Sequence, residues 1–509
     1  MALISRAAVI SGWTLGSRIL GLIRDRILAG AFGGSLLLDA FLLAFALPNL
    51  FRNLFGEGAL SAAFVPRYVQ ARDQDQAEAE AFAGLVLTRL SVLLGVIAGI
   101  GMAIAGGLCV WGASDLVLVA ALTLPQLPYL LFICCCAIMA GTLNGRRHFA
   151  IPAAAPVLLN IILIAAVLVW RDVWVLPYAV LITGVVQIAL HLVALAMTPG
   201  GVPKVRWQST PKLRDLRRSL LPVLAASSVF QLNALLDSVL AYALVPGAGA
   251  VAALYFANRL FQFPLALVGH GIGTAVYPEL ASAASRGWEA SNQALRQAGS
   301  LTGAILLPAS VGLFLVAEPL AGTIYLHGAF DQAALDRCSL AAAMFALGLV
   351  PVAYAKLFIR ACHAHRDQRT PLRIGIATVV VNLGLNIALV LTPLQEAGLA
   401  LASSISSWGS CLVYILILRR RGGGAVVPWA QLVIPVIGSV VMGAGVWALL
   451  QWWPYAGSGF SWHATRLVAA VVTGGVLYAA VAGVPLWRRL RRRRGQQVAQ
   501  DNLAENEDG

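Results

Sequence analysis

Apolar residues run in blocks along nearly the whole chain, each block closed by glycine, proline or a charge. Blocks of about twenty residues suit bilayer-spanning helices, and none keeps the period-two alternation of a barrel strand. Fourteen such segments are predicted, centred near residues 20, 48, 95, 128, 160, 185, 232, 265, 308, 348, 382, 407, 440 and 475. The expected fold class is an all-α polytopic membrane protein.

Composition agrees, since 59% of the 509 residues are hydrophobic and only 11% are charged, values outside the soluble globular range. No signal-peptide pattern opens the chain, because the first apolar stretch runs on past a cleavable length. The seven cysteines, Cys109, Cys134, Cys135, Cys136, Cys338, Cys362 and Cys411, form no CxxC pair and read as small buried hydrophobes.

The net charge of +14 is not a nucleic-acid signature, because it is sorted by loop. Connections after even-numbered segments, with the C-terminal tail, hold 25 of the 36 Lys and Arg residues, whereas the odd connections hold one, Arg171. By the positive-inside rule the even side is cytoplasmic, both termini included.

A weak internal repeat orders the segments further. Residues 128 to 160 run as helix, basic turn (Asn144-Gly145-Arg146-Arg147-His148), Pro152 and a helix bearing Asn160. Residues 351 to 382 repeat that order through His363-Ala364-His365-Arg366-Asp367, Pro371 and Asn382. An even number of segments per half makes the repeat parallel, and such halves enclose a site. The expected organisation is an N-lobe of six helices (1–198), an amphipathic cytoplasmic linker (199–218), a C-lobe of six (219–421), a final helix pair (422–487) and a basic then acidic tail (488–509).

Charges inside the first two segments carry the candidate chemistry. A charge at membrane depth costs about 2.5–3.5 kcal/mol or more, so it marks a functional site by default. Ser17 and Arg24 share one helical stripe, with Arg18 and Asp25 on the next. Asn49, Asn53 and Glu57 follow i, i+4, i+8 in segment two, with Arg52 beside them. Segment eight adds Arg259, next to Asn258 and Gln262. Arginine's planar fork fits phosphate oxygens, so these arginines point to a diphosphate, with sulfate and carboxylate left open. Snorkelling for Arg18 and a structural ion pair for Arg24, Arg52 and Arg259 are the competing readings. Asp237, Asn382 and Asn386 form a candidate cation site, weighed against ordinary interhelical hydrogen bonds. No GxxxxGK[ST], HExxH, GxSxG or DDxxD motif occurs, which disfavours an enzyme.

Ser17-Arg18-Ile19-Leu20-Gly21 with Arg24-Asp25, Asp39-Ala40-Phe41, Pro48-Asn49-Leu50-Phe51-Arg52 and Gly56-Glu57-Gly58-Ala59-Leu60-Ser61 closely resemble the N-terminal signature of the MurJ (MviN) lipid II flippase family. Tyr255-Phe256-Ala257-Asn258-Arg259-Leu260, Phe263-Pro264 and Pro278-Glu279-Leu280 agree with it. The resemblance implies a fourteen-helix member of the MOP exporter superfamily, with two lobes around a cationic cavity and a last helix pair lining a lipid-tail groove. It implies transport of undecaprenyl-diphosphate-linked disaccharide-pentapeptide from the inner to the outer leaflet of the bacterial cytoplasmic membrane, for peptidoglycan synthesis. The functional positions it implies are Arg18, Arg24, Asp25, Arg52 and Arg259, with Asp39 and Glu57 secondary. Asn258 stands where many relatives have an acid, and Asn386 where some have the second acid of a sodium site.

The expected mechanism is alternating access without a cofactor, coupled to a monovalent cation or the membrane potential. The diphosphate would pass from Arg52 toward Arg24 and Arg259. Expected partners are lipid II, membrane lipid and proteins of cell-wall synthesis; the oligomeric state is not legible. The alternatives are a flippase for another polyprenyl-linked glycan and a MOP-type exporter of a different substrate.

Overall fold

The computed structural model describes residues 2–56, 59–208, 211–453, 459–483 and 485. They form seventeen α-helices, with no strand among the described residues. In chain order these are α1 (Ala2–Phe32), α2 (Leu36–Phe51), α3 (Ala59–Gln74), α4 (Gln76–Trp111), α5 (Ser114–Thr123), α6 (Leu127–Gly145), α7 (Ala150–Trp170), α8 (Val175–Ala196) and α9 (Pro211–Leu244), then α10 (Ala250–Ser285), α11 (Trp288–Tyr325), α12 (Gln332–Ala346), α13 (Leu349–Ala364), α14 (Arg369–Val390), α15 (Gln395–Gly422), α16 (Trp429–Trp452) and α17 (Phe460–Tyr478). Ten helical stretches are long and apolar enough to cross a bilayer, eleven if α12 and α13 count as one bent span. The chain is therefore a multi-pass helical membrane protein, as expected.

Two compact units emerge from the packing. One comprises Met1–Phe256, His327–Ala334 and Pro371–Leu399; the other comprises Ala257–Leu326, Leu335–Thr370 and Ala400–Gly509. They are not contiguous in sequence, since α14 groups with the first unit. Helix α10 runs from one unit into the other between Phe256 and Ala257.

One segment differs from its sequence reading in the first unit. The basic stretch around Arg67 and Arg72, read as a connection, is helix α3. Leu60, Ala63, Phe64 and Tyr68 recur at three- and four-residue spacing and bury against Phe82, Ala83 and Val86 of α4. An amphipathic stripe on a charged helix gives a weak hydropathy signal, which is why composition hid it.

The stretch joining α8 to α9 is similarly divided. Up to residue 208 it is non-helical and lies along α4, where the Arg206 amide donates to Thr88 Oγ1 (3.3 Å) and Arg89 donates to the Trp207 carbonyl (2.6 Å). A Cβ on Gly84 would stand 2.0 Å from the Lys204 carbonyl oxygen, so only glycine admits the strap there. From Pro211 the chain is already α9.

In the second unit, α12 and α13 meet at a 46° bend around Gly348. A bend frees carbonyls that a bilayer cannot hydrate, and neighbouring side chains take them up. Ser404 donates to the Met344 carbonyl (2.7 Å), Ser310 to Ala346 (2.6 Å) and Trp408 Nε1 to Leu347 (3.0 Å).

The repeated basic turns close in the same way. After α6, the His148 amide donates to Leu143 O and the Arg147 amide to Asn144 O; after α13, Asp367 donates to Cys362 O and Arg366 to His363 O. Arg147 (φ 66°) and Arg366 (φ 57°) both occupy the left-handed position that ends such a helix.

Side chains then fix each turn within its own unit. In the first, buried Arg146 donates to Glu80 (2.5 Å), the Tyr68 hydroxyl (3.1 Å) and Thr198 Oγ1 (2.7 Å). In the second, His365 stacks on Trp288 at 3.6 Å, and Arg421 donates to Asp367 (2.7 Å) and Thr370 (2.9 Å). Burial alone would raise the Asp367 carboxyl, but hydrogen bonds from Thr370 and Arg421 outweigh it and hold the group down at about 2.

Candidate anion site

Helix α1 carries the predicted charges, and the first unit gathers partners around them. Arg24 and Asp25 are 6% and 2% exposed, so this ion pair is out of contact with solvent. Arg24 donates to Asp25 Oδ1 through both Nε (3.0 Å) and Nη2 (2.7 Å). Its Nη1 donates to Asn160 Oδ1 of α7 (3.0 Å), and Nη2 also to the Tyr255 hydroxyl of α10 (2.7 Å). Tyr255 in turn donates to Asp25 Oδ1 (3.0 Å). Isolated, either charge would be prohibitive at this depth; paired and hydrogen-bonded, each is held.

The seven-residue stripe read from sequence is where α7 docks. Asn160 Nδ2 donates to the Ser17 carbonyl (3.1 Å), and a Cβ on Gly21 would lie 3.9 Å from that same nitrogen. Ser17 thus contributes through its backbone oxygen and is half-buried, whereas Arg18 on the adjacent stripe is exposed.

Arg52 sits in a different electrostatic setting. It opens a π-helical turn, Arg52–Gly56, where α2 ends behind Pro48. Such turns widen a helix and recur at functional sites. The half-buried guanidinium donates to Asn49 Oδ1 through Nε (3.1 Å) and Nη2 (2.9 Å), and to Asn53 Oδ1 (3.2 Å). Asn53 donates onward to Gln231 of α9 (3.1 Å). The polar stripe predicted for segment two is therefore an amide cradle for Arg52, while Glu57 lies outside the described residues.

Asp39 also meets a helix terminus. It is 2% exposed, and its carboxylate accepts from the backbone amides of Gly249 (2.6 Å) and Ala252 (2.8 Å). Gly249 immediately precedes α10 and Ala252 lies in its first turn, so a side chain from α2 caps a different helix.

Arg259 lies in the second unit, half-buried on α10 one turn beyond Tyr255, with Gln262 donating to Asn258 beside it (3.3 Å). The candidate cation residues do meet in the first unit. Asn386 Nδ2 donates to Asp237 Oδ1 (2.6 Å) and to Asn382 Oδ1 (2.8 Å), with Asn382 and Asn386 fully buried. All seven cysteines are free, and no group of three or more His, Cys, Asp or Glu side chains is placed to hold a metal among the described residues.

Two residues of the Arg24 site were not assigned to it from sequence. Asn160 was visible as a repeat landmark and Tyr255 as part of the segment-eight signature. Each was a polar group inside an apolar run, which was the available signal; its partner on another helix was not.

A polytopic helical membrane protein with buried, hydrogen-bonded arginine and aspartate inside its first helix has the build of a transporter for an anionic substrate. A sequence model described as lipid II flippase MurJ matches residues 28–482, and the chain belongs to that family. The lipid II flippase MurJ of Burkholderia cenocepacia is 32% identical, over 96% of this chain and 97% of its own. The probable lipid II flippase MurJ of Rhizobium meliloti is also 32% identical, over 95% and 94%. Among solved structures, an inward closed lipid II flippase MurJ superposes with a TM-score of 0.80 at 23% identity, covering 95% of this chain and 99% of that one. An inward-facing MATE-family transporter of the MOP superfamily gives 0.68 at 20%, covering 80% and 94%. At those identities the structural likeness speaks for the fold.

Proposed function

We propose that this chain is a lipid II flippase, carrying the undecaprenyl-diphosphate-linked disaccharide-pentapeptide from the inner to the outer leaflet of the cytoplasmic membrane. It is a transporter, not an enzyme. Family membership supplies the substrate, and the buried Arg24–Asp25 pair, tied to α7 and α10, is the observation that carries the reading.

The mechanism is alternating access around a relay of guanidinium groups. Arg52, oriented by the Asn49 and Asn53 amide oxygens, receives the diphosphate, which then passes toward Arg24 and Arg259 while the polyprenyl tail stays in lipid. Arg18 serves at the exposed face of α1, Asn49 keeps Arg52 oriented, and Asp25 balances Arg24 whenever no phosphate does. Glu57 belongs to the same polar stripe. Fourteen spans, with α1, α9 and α10 added to the eleven apolar ones, place both termini in the cytoplasm. Two six-helix lobes (1–198 and 219–421) are related by a parallel repeat, which the matching turns at Arg147 and Arg366 favour. The stretch at 199–218 joins them, α16 and α17 line the tail groove, and the basic tail lies on the inner side.

Asp237, Asn382 and Asn386 offer one carboxylate and two amide oxygens, a set suited to a hard monovalent cation. The buried Asn386 Oδ1 has no hydrogen-bond partner among the described residues, so it is the oxygen such an ion would use. A cation there would balance the charge of Asp237, to which Asn386 Nδ2 now donates. Ion or potential coupling would drive the cycle, since outward movement of the anion alone works against the potential by about 2.3 kcal/mol per charge per 100 mV.

The test is replacement of Arg24, Arg52 or Arg259 by Ala in cells depleted of their own flippase. Growth should stop with lipid II held on the inner leaflet. Normal growth and normal export would remove those residues from the path. A leaflet assay with other polyprenyl-linked glycans separates this reading from its nearest alternative.

A further inference from the structure

The contacts of Arg24 leave neither edge of its guanidinium open. A bidentate phosphate takes two parallel N–H groups, either from the Nε/Nη2 side or from the Nη1/Nη2 end. Asp25 Oδ1 occupies the first edge, at 3.0 and 2.7 Å. Asn160 Oδ1 and the Tyr255 hydroxyl divide the second, at 3.0 and 2.7 Å. A phosphate can dock on Arg24 only after one of these partners withdraws.

The three partners differ in how readily they can go. Asp25 is the next residue on the same helix. Asn160 is tied to α1 by its bond to the Ser17 carbonyl, so it leaves only if α1 and α7 separate. Tyr255 arrives from a third helix, α10, on the last turn before that helix crosses into the second unit. A rotation or slide of α10 removes the hydroxyl without disturbing α1 against α7. The same movement carries Arg259, which is one turn further along and shares Tyr255's face.

We propose that the Tyr255 hydroxyl is a positioning group that locks Arg24 onto Asp25, and that its withdrawal with α10 frees Nη2 for an oxygen of an incoming diphosphate while Nη1 stays with Asn160. The hydroxyl serves both charges at once, accepting from Arg24 and donating to Asp25 (3.0 Å), so its loss loosens the pair from both sides. This rests on Arg24 being a diphosphate ligand.

The experiment measures binding of undecaprenyl diphosphate to the full chain in nanodiscs, for the parent, Tyr255→Phe, Arg24→Ala and the double variant. Tyr255→Phe keeps the ring and should melt within a few degrees of the parent, yet bind about 3- to 10-fold more tightly, because a hydrogen bond to a charged group no longer competes. Tyr255→Leu should move affinity in the same direction. In the Arg24→Ala background the gain should vanish, which a merely structural tyrosine would not produce. Unchanged or weaker binding by both Tyr255 variants, or an equal gain without Arg24, overturns the lock. If Arg24→Ala alone binds like the parent, the ligand role of Arg24 fails, whatever Tyr255 does.

Discussion

Arg24 and Arg52 are the same residue type in the same unit, yet one is buried and the other half-buried. Arg24 is buried against a carboxylate, with an amide and a phenol completing its bonds. Arg52 is half-buried and cradled by the amide oxygens of Asn49 and Asn53. A charge matched by a carboxylate is stable without substrate but presents little field to it. The half-buried guanidinium is the more accessible of the two, and so is suited to first capture. A path needs both, one to attract and one to take over.

Truncation separates the two most strongly. Arg24→Ala leaves Asp25 buried without its partner and should destabilise the protein by about 3–5 kcal/mol besides stopping transport. Arg52→Ala should stop transport with a far smaller fall in thermal stability. Melting curves on purified variants, beside growth after flippase depletion, check the difference; equal losses of stability would erase it.

Lysine substitution sharpens the same contrast. Arg52→Lys keeps a charge in an amide cradle and should retain part of the transport rate. Arg24→Lys cannot meet Asp25, Asn160 and Tyr255 together and should retain little. A leaflet-resolved lipid II assay reads both.

Smaller effects follow for the neutral supports. Asn160→Ala removes one bond to Arg24 and the link to Ser17, and should cost about 1–3 kcal/mol; Asn49→Ala should cost under about 1.5 kcal/mol, since water can replace it. Thermal unfolding of the two variants tests that order.

The smallest effect comes from an ion pair outside the spans. Asp367, paired with Arg421, is held near 2 instead of the ordinary 3.8. A depressed carboxylate contributes stability above its unfolded value and loses it as pH falls toward the folded one. A slight drop in melting temperature between about pH 4 and 2, absent in Asp367→Asn, is expected.

Much of this was legible before any coordinates. Three arginines and an aspartate inside apolar segments identified the candidate site, because charge at membrane depth needs a purpose. The stripe of Ser17 and Arg24 turned out to be the docking line of α7, and Asn49, Asn53 and Arg52 were correctly placed together. Asp39, which the resemblance groups with the substrate residues, also caps α10 from more than two hundred residues away, a partner that no spacing within α2 reveals. Helix α3 was missed, since its buried stripe is narrow and its mean hydropathy is low.

The membrane class, the apolar segments, the loop-charge pattern and the charged faces of α1 and α2 are all readable in the chain alone. Those properties belong to single helices, whose periodicity fixes which residues share a face. It takes the packed helices to show that Asn160 and Tyr255 close around Arg24, that Asp39 caps α10 and that α14 groups with the first unit. Such facts depend on the register between helices, set by packing and hydrogen bonds across long stretches of chain, and no periodicity within one segment encodes it.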